Sequence, residues 1–234
     1  MSLSLNELES LCRRAARGAR FEWGPAEEAG RAVRALASVG LPGPERLLER
    51  LVRADVDIAP PCSRSPRSLD GDWSSASGEL CPIHAGAALS DSAHRLAGNA
   101  PLALHDVLCP LLLLPFAALA ARQLGVPVGI SWSTLTLSAV PDSRAGATWL
   151  DGARVHAGDG RTGTVRCRLW PSREAVGGRR LPAFTRAEPA PAVLAGLEAF
   201  AARTCAPATE ASRRLGAGGS GAGPERTADI ERHG

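Results

Sequence analysis

The chain has 234 residues, 44% of them hydrophobic and 22% charged, and these globular proportions exclude a disordered or collagen-like protein. Its 27 basic and 24 acidic residues give a net charge of +3, and no arginine-rich run with interleaved aromatic residues indicates a nucleic-acid-binding face. At this length folding buries about 70% of the unfolded chain's surface, so stability requires neither a disulfide nor a metal.

The first fifty residues predict three antiparallel helices. Ser4 and Glu7 have the spacing of a capping box at the start of the first helix. Gly24-Pro25 begins the second helix, and Pro44 begins the third. The apolar faces follow helical spacing: Leu5, Leu8, Leu11 and Ala15, then Ala29, Val33, Leu36 and Ala37, then Leu47, Leu48, Leu51 and Val52.

The segment that follows has two predicted parts. Residues 59–79 are rich in Pro, Ser, Arg and Asp without periodicity, which predicts a long surface loop or a linker. A short helix is predicted from Ser90 to Ala97, with Ser90 as its cap and Asp91 in its first turn. Trp23 and Trp132 are expected to be core anchors.

The middle of the chain predicts the core and a sheet. A helix is predicted from about Leu111 to Leu124, and Gly125 ends it. Apolar and other residues alternate over 128–137 and 164–170, and a shorter strand is expected at 147–150. One buried face and one wet face are typical of an antiparallel sheet. A last helix is predicted over 192–203.

These elements predict an α+β fold with N-terminal antiparallel helices, a small mostly antiparallel sheet and a C-terminal helix. The expected organisation is a single domain over residues 1–215, made of a helical part (1–58), a loop (59–79) and a core (80–215). Residues 216–234 are dominated by Gly, Ala, Ser and charge, which predicts a disordered tail.

The opening residues and the cysteines predict a cytoplasmic protein. Acidic residues stand where a secretion signal would carry positive charge. The six cysteines form no C-x-x-C pair, so free thiols in a reducing compartment are expected. The apolar run from Val107 to Ala121 contains Pro110 and Pro115 and is shorter than the roughly 18 residues of a membrane span, which predicts buried core.

Common catalytic motifs give no assignment. The Gly-rich stretch at 216–221 fits G-x-G-x-x-G, but it follows a helix and lies in no βαβ unit. Cys81-x-x-His84, followed by His94, His105 and Asp106, consists of zinc-ligand residue types without an established ligand spacing. We therefore expect no metal; proton transfer at Cys81 or His84 stays open beside a purely structural role. The cofactor is unknown.

Two aspartates and one C-terminal segment could also carry chemistry. Asp91 and Asp106 flank the apolar core, where burial would raise a carboxyl pKa and make a general acid or base; helix capping is the favoured alternative. Arg203, Thr209, Ser212 and Arg213 could hold a carboxylate or phosphate. In the favoured alternative, Arg203 and Arg213 pair with acidic residues and fix the segment to the domain.

Several motifs together resemble an uncharacterised bacterial family, a domain of unknown function seen in proteobacteria. They are Ser-Leu-Asn-Glu-Leu-Glu at 4–9, Trp-Gly-Pro-Ala-Glu-Glu-Ala-Gly at 23–30, Leu-Cys-Pro-Ile at 80–83 with Ala-Gly-Ala-Ala-Leu-Ser-Asp at 85–91, and Ala-Pro-Ala-Thr-Glu-Ala-Ser-Arg at 206–213. The resemblance extends to about Gly219 and implies no activity. The first fifty residues are also similar to the N-terminal helices of malate/L-lactate dehydrogenase-like oxidoreductases, as a likeness between helix bundles.

Two function classes follow as hypotheses. In the first, the protein is a non-catalytic binding or assembly protein, whose partner is another protein chain or a small anionic molecule rather than nucleic acid or membrane. In the alternative, it is a small-molecule enzyme or enzyme subunit. Its pocket would be formed by the Cys81–Asp91 and Arg203–Arg213 segments.

Overall fold

A computed structural model describes residues 1–57, 59–98, 101–132, 135–139, 148–150, 165–171 and 179–205. The chain divides into two compact units, residues 1–204 and 205–234, and the fold below is that of the first unit. The predicted boundary at residue 215 and the predicted tail over 216–234 lie outside the described residues. Helices and antiparallel sheets together confirm the α+β class.

The described elements are six α-helices, three short 3-10 helices and eight strands. The α-helices are α1 (Leu5–Gly18), α2 (Trp23–Ser38), α3 (Gly43–Asp55), α4 (Pro82–Asp91), α5 (Leu114–Leu124) and α6 (Pro191–Ala202). The 3-10 helices are Pro61–Arg64, Ala93–Gly98 and Pro110–Leu113. The strands are β1 (Leu3–Ser4), β2 (Leu102–Val107), β3 (Val128–Trp132), β4 (Leu135–Ala139), β5 (Thr148–Leu150), β6 (Val165–Pro171), β7 (Arg179–Arg180) and β8 (Arg186–Ala187).

The start of α1 follows from its capping box. The Glu7 amide donates to Ser4 Oγ at 3.2 Å, and the Ser4 amide donates to Glu7 Oε2 at 2.8 Å. Both bonds satisfy amides that the first turn of a helix leaves without a partner. The predicted capping box is therefore confirmed, and Leu8, Leu11 and Ala15 form the buried face of α1.

The buried face of α3 differs from the predicted one. Leu47 and Leu51 are fully buried as expected, but Val52 is 51% exposed, and Arg50 has no exposed surface at all. Residues 47, 50, 51 and 54 follow the helical repeat and face inward together. A charged side chain thus occupies a core position, with consequences for the site described below.

Helix α6 packs directly against α1 because a glycine lets the two backbones approach. A Cβ built on Gly18 would lie 1.8 Å from the Phe200 carbonyl oxygen, so any side chain there would force the helices apart. Leu194, Leu197 and Phe200 are buried on the inner side of α6. The predicted C-terminal helix and its apolar face are confirmed.

The larger sheet has the strand order β2-β6-β3-β4-β5-β7, with every described pair antiparallel. In β6 the predicted alternation is confirmed, since Cys167 and Leu169 are buried while Arg166 and Arg168 are exposed. The alternation over 128–137 is not one strand as expected: β3 and β4 pair with each other, Ile130 opposite Leu137. Strand β2 was not predicted. The smaller sheet pairs β1 with β8.

Residues 59–79 are not a simple surface loop or linker. Trp73 is fully buried, its amide donates to the Ala103 carbonyl at 2.8 Å, and its carbonyl accepts from the His105 amide at 2.8 Å. The segment is therefore fastened along β2 and contributes one of the largest core side chains. By contrast, Trp23 is 66% exposed, with the Arg17 guanidinium 4.5 Å above its ring, so its predicted role as a core anchor is wrong. Trp132 is buried as expected.

The predicted helix from Ser90 to Ala97 is also wrong. Helix α4 already begins at Pro82 and ends at Asp91, and residues 93–98 form a 3-10 turn. Ser90 is not a cap, because its Oγ donates to the Gly86 carbonyl within α4 at 3.1 Å. The run from Val107 to Ala121 is core as predicted. Among the described helices, none combines the length and apolarity that a membrane crossing requires.

Candidate functional site

Cys81 lies at the start of α4 and is completely buried. It is the N-cap residue of the helix, preceding Pro82, and its amide donates to the Arg64 carbonyl at 2.9 Å. Proline in the first turn is favoured because its missing N–H leaves no intrahelical bond unmade. The sulfur is therefore placed where the positive end of the helix dipole stabilises a thiolate.

Arg50 reaches the same place from α3. The side chain has no exposed surface, and apart from the Cys81 sulfur its three guanidinium nitrogens have no hydrogen-bond partner among the described residues. Its Cζ lies 5.5 Å from the centroid of the Phe21 ring. Burial alone would lower the pKa of Arg50, but attraction to Cys81 and Glu79 outweighs burial and raises it. The guanidinium is therefore a buried positive charge.

His84 completes what we call the thiol centre: Cys81, Arg50 and His84. Its ring stacks on Phe21, with 5.7 Å between the centroids and 24° between the planes. Nδ1 is buried and finds no hydrogen-bond partner in the described part of the chain, while the residue as a whole is only half-buried. His84 is thus the member of the centre that is partly exposed to solvent.

The charges of the thiol centre determine the state of its sulfur. Burial raises the pKa of the Cys81 thiol, but attraction to Arg50 and the interactions with His84 outweigh burial and lower that pKa to about 6. At pH 7 about nine-tenths of Cys81 is then thiolate. The sequence prediction that singled out Cys81 and His84 named two of the three residues that the fold brings together.

The other buried cysteines have the opposite environment. Burial raises the pKa of Cys12, and Glu45 adds to this; burial likewise raises the pKa of Cys109, where Glu49 contributes. Burial raises the pKa of Cys167 to about 12. These three side chains are neutral thiols at physiological pH. All six cysteines lie among the described residues, and each is free, as predicted.

Neighbouring acids do not neutralise Arg50. Glu79 is nearly buried and forms an ion pair with Arg64, which also pairs with Asp57. Its other oxygen accepts from Arg53 Nε at 3.2 Å. Because these carboxylates are engaged by other arginines, attraction to the Cys81 sulfur is the larger of the contributions that offset the burial of Arg50, and attraction to Glu79 adds to it.

Asp91 and Asp106 lie outside the thiol centre. Asp91 is exposed at the last position of α4. Asp106 is exposed in β2, with a φ of 55°, and its carbonyl accepts from the Leu80 amide at 2.9 Å. Neither residue caps the start of a helix, so the capping roles expected for them are wrong, and their exposure removes the burial that general acid or base catalysis would require.

Arg203 is held by an ion pair on the surface. Its Nη1 and Nη2 donate to the two carboxylate oxygens of Asp55 at 2.5 and 3.0 Å, and its Cζ lies 4.4 Å above the Phe200 ring. Hydrogen bonding to Arg203 lowers the pKa of Asp55. This pairing is the structural alternative foreseen for Arg203. The other candidates of that segment, Thr209, Ser212 and Arg213, lie outside the described residues.

The potential metal ligands do not converge. Across the described residues, no group of three or more Cys, His, Asp and Glu side chains could hold a metal ion. His105 Nε2 instead lies 3.3 Å from Asp72 Oδ2, and His94 is exposed.

A second feature is an open cleft of about 760 Å³ between the α2–α3 turn and the segment leading into α6. This volume lies within the usual range for small-molecule sites. We call it the Glu45 cleft; its lining residues are Ser2, Ala37, Gly40, Leu41, Pro42, Pro44, Glu45 and 183–189. The Phe184 amide donates to the Ser38 carbonyl at 2.7 Å and holds the two walls together.

Some polar groups of the Glu45 cleft are hydrogen-bonded to described residues, and others are not. Arg186 donates from Nε to Ser2 Oγ and from Nη2 to the Ser2 carbonyl, both at 2.9 Å. Glu188 is exposed. Glu45 Oε2, however, is buried and accepts no hydrogen bond from any described residue. An unpaired buried carboxylate oxygen is costly, and a ligand that donates to it would remove that cost.

Sequence reasoning missed Arg50 and Glu45. Both lie on α3, five residues apart, within a stretch that reads as a charged helix with a leucine face. Arg50 falls between Leu47 and Leu51 in the helical repeat, which could have marked it as inward-facing. Glu45 gives no such signal, because the opposing wall of its cleft is about 140 residues away along the chain.

A comparison with known protein families finds a match in the N-terminal part of the chain. Residues 3–85 match the profile of a family described as "Protein of unknown function (DUF3726)". The resemblance to an uncharacterised family is confirmed for this segment. It includes Ser4, Trp23 and Cys81 of the quoted motifs. The bacterial group of the family and the extension of the match to about Gly219 stay predictions.

Solved structures extend the likeness in fold. The chain is similar to "dehydrogenase from Sinorhizobium meliloti" with a TM-score of 0.58 and 14% identity, covering 86% of this chain and 99% of that one. Malate dehydrogenase from Entamoeba histolytica has a TM-score of 0.47 and 9% identity. The match covers 64% of this chain and 48%, about half, of that protein. No curated protein matches the sequence. At such identities the likeness concerns the fold alone, since unrelated functions share folds.

Proposed function

We propose that this is a non-catalytic binding protein that holds a small molecule in the Glu45 cleft. The observation that carries the proposal is Glu45 Oε2, a buried acceptor on the cleft wall that no described residue satisfies. A site built to pair with a donor discriminates strongly against ligands that lack one. The cytoplasm, where free thiols persist, is the compartment in which we expect it to act.

The charges and the exposed aromatic ring of the cleft lining indicate which class of ligand would bind. Glu45 and Glu188 are negative, and the single arginine of the lining is already engaged by Ser2. The ring of Phe184 is 45% exposed and offers a flat apolar surface. A small molecule with a cationic or hydrogen-bond-donating end and a flat apolar body therefore matches the cleft, whereas an anion would meet a net negative charge.

Matched probes test this proposal. Benzamidine and phenethylamine carry cationic donors on an apolar ring, and benzoate and phenylacetate present the same rings with a carboxylate. In a thermal-shift titration, a ligand at 100 times its Kd adds about 2.7 kcal/mol to stability. We expect the two cations to raise Tm and the two anions to leave it unchanged.

Two variants assign the binding to the cleft. Glu45→Gln replaces a charge-assisted bond worth about 1.5–3 kcal/mol and should weaken the cation by about 10- to 100-fold, while Glu198→Gln on the exposed side of α6 should not. Ala183→Trp fills the cleft from its exposed wall, with Ala199→Trp as the control. Binding of neither cation at millimolar concentration, or equal binding to Ala183→Trp, would contradict the proposal; preferential binding of the anions would contradict the ligand class.

A further inference from the structure

The thiol centre is independent of the Glu45 cleft and has no role in the proposed binding. Arg50 is completely buried, and apart from the Cys81 sulfur its guanidinium has no hydrogen-bond partner among the described residues. An unsatisfied buried charge of this kind is strongly destabilising unless something balances it. The stability of the fold therefore requires that Arg50 face a group that can balance its charge.

Three features converge on the Cys81 sulfur. Arg50 faces it from α3, the first turn of α4 presents its positive end to it, and the half-buried His84 lies beside it one helical turn away. Cationic groups and helix N-termini are the surroundings that turn a cysteine into a nucleophile. The arginines that flank Cys167 are exposed on the opposite face of β6, and burial is the cause that raises the pKa of Cys167.

We propose that Cys81 is an oxidation site, at which a hydroperoxide converts the thiolate to a sulfenic acid while Arg50 binds the peroxide oxygens and His84 supplies the proton. The Arg50 nitrogens, which face the Cys81 sulfur and have no other hydrogen-bond partner among the described residues, are the donors that the peroxide would meet. Cys81 has no exposed surface, so the reagent must be small; hydrogen peroxide is close to water in size and enters through local opening beside the half-buried His84.

The step balances without a further reactant. The Cys81 thiolate attacks one peroxide oxygen, an S–O bond forms and the O–O bond breaks. The sulfur loses two electrons and the peroxide gains them. The departing hydroxide takes a proton from His84 or from solvent and leaves as water, and Cys81 becomes the sulfenic acid, the first and reversible stage of cysteine oxidation.

The test uses a Cys62→Ser/Cys205→Ser variant, since both of these thiols are exposed and would react by themselves. The native protein is treated with hydrogen peroxide, the excess is destroyed with catalase, and the protein is unfolded in dimedone and then alkylated with iodoacetamide. Mass spectrometry of the peptides then measures each remaining thiol. Cys81 should gain dimedone and lose alkylation, whereas Cys167, equally buried, should remain fully alkylated.

The Arg50→Met variant distinguishes oxidation that Arg50 promotes from oxidation that depends only on the accessibility of Cys81. In Arg50→Met, Cys81 can take up a proton and become a neutral thiol, so no unpaired charge is left buried. If the pKa of Cys81 returns from about 6 to 9.0, the thiolate fraction at pH 7 falls from about nine-tenths to about one-hundredth. The oxidation rate of Cys81 at pH 7 should then fall about 100-fold. His84→Gln removes both a proton donor and one of the groups that lower the pKa of Cys81, so it should slow oxidation at pH 7 and move the pH midpoint of the rate upward.

The pH profile keeps the proposal testable if Arg50→Met does not fold. In the Cys62→Ser/Cys205→Ser protein, the oxidation rate of Cys81 should reach half its maximum near pH 6, well below the range of an ordinary thiol. A midpoint at or above pH 8.5 would overturn the proposal. So would a Cys81 that stays fully alkylated under peroxide exposure that oxidises Cys62 in the unmodified chain.

Discussion

Replacing Cys81 with serine should remove a pH-dependent part of the stability of this protein. The pKa of the thiol falls from 9.0 to about 6 on folding, so between these values the folded protein binds fewer protons than the unfolded chain. Stability then rises with pH through this window and is lost as the pH falls through 6. Three pH units at 1.36 kcal/mol each give a total on the order of 4 kcal/mol.

Urea unfolding at intervals from pH 5 to pH 9, under a reducing agent, measures this effect. The quantity of interest is the free energy of unfolding of the wild type minus that of Cys81→Ser, because contributions from other groups cancel in the difference. At pH 5 neither protein pairs Arg50 with a thiolate, and the difference should be small. At pH 9 only the wild type retains the ion pair, and the difference should be larger by about 4 kcal/mol.

Cys167→Ser is the matched control, since Cys167 is also buried but burial raises its pKa to about 12. Its difference from the wild type should stay constant over the whole range. A Cys81→Ser difference that is equally flat, within about 0.5 kcal/mol, would refute the reasoning: it would mean that Cys81 is a neutral thiol at every pH and that the buried Arg50 has no thiolate counter-ion.

Three further predictions concern the fold and use the same unfolding measurements. Ser4→Ala removes the cap of α1 and should cost about 1 kcal/mol; an unchanged midpoint would contradict the capping box. Gly18→Ala should cost more than about 2 kcal/mol, because its Cβ would lie 1.8 Å from a backbone oxygen of α6. Gly24→Ala is the control: leaving its chain neighbours aside, the added Cβ meets no described atom within 4 Å. Because residue 24 precedes Pro25 in the first turn of α2, alanine gains little there, and the free energy of unfolding should change by less than about 0.5 kcal/mol. Trp73→Ala should cost about 3–5 kcal/mol, and Trp23→Ala less than about 0.5; similar values for the two tryptophans would be inconsistent with their opposite exposures.

The ends of the helices are largely determined by local sequence. Ser4 and Glu7 make the predicted capping box, and Gly125 ends α5 as predicted, in the left-handed conformation that glycine adopts readily. Such signals act over a few residues, between groups that the chain itself brings together. The alternation in β6 is equally local, and it correctly indicated an antiparallel sheet.

The errors arise where distant contacts override local preference. Trp73 lies in a Pro- and Ser-rich stretch that reads as a loop, yet β2 offers it two backbone hydrogen bonds and a place in the core. Trp23 precedes a helix and reads as an anchor, yet no interior surface covers it, and it remains 66% exposed. Which large side chains are buried depends on surfaces that exist only after the helices and the sheet have packed.

Of the thiol centre, the sequence by itself determined the Cys81-x-x-His84 spacing and the residue types, and it therefore marked two polar groups beside an apolar segment. Only the tertiary structure decided that Arg50 of α3 would be enclosed next to them. The physical reason is that a pKa depends on burial and on charges in three dimensions, and neither is encoded by spacing along one helix. The Glu45 cleft was decided entirely by the tertiary structure, because its two walls meet only when the segment before α6 packs beside the start of α3.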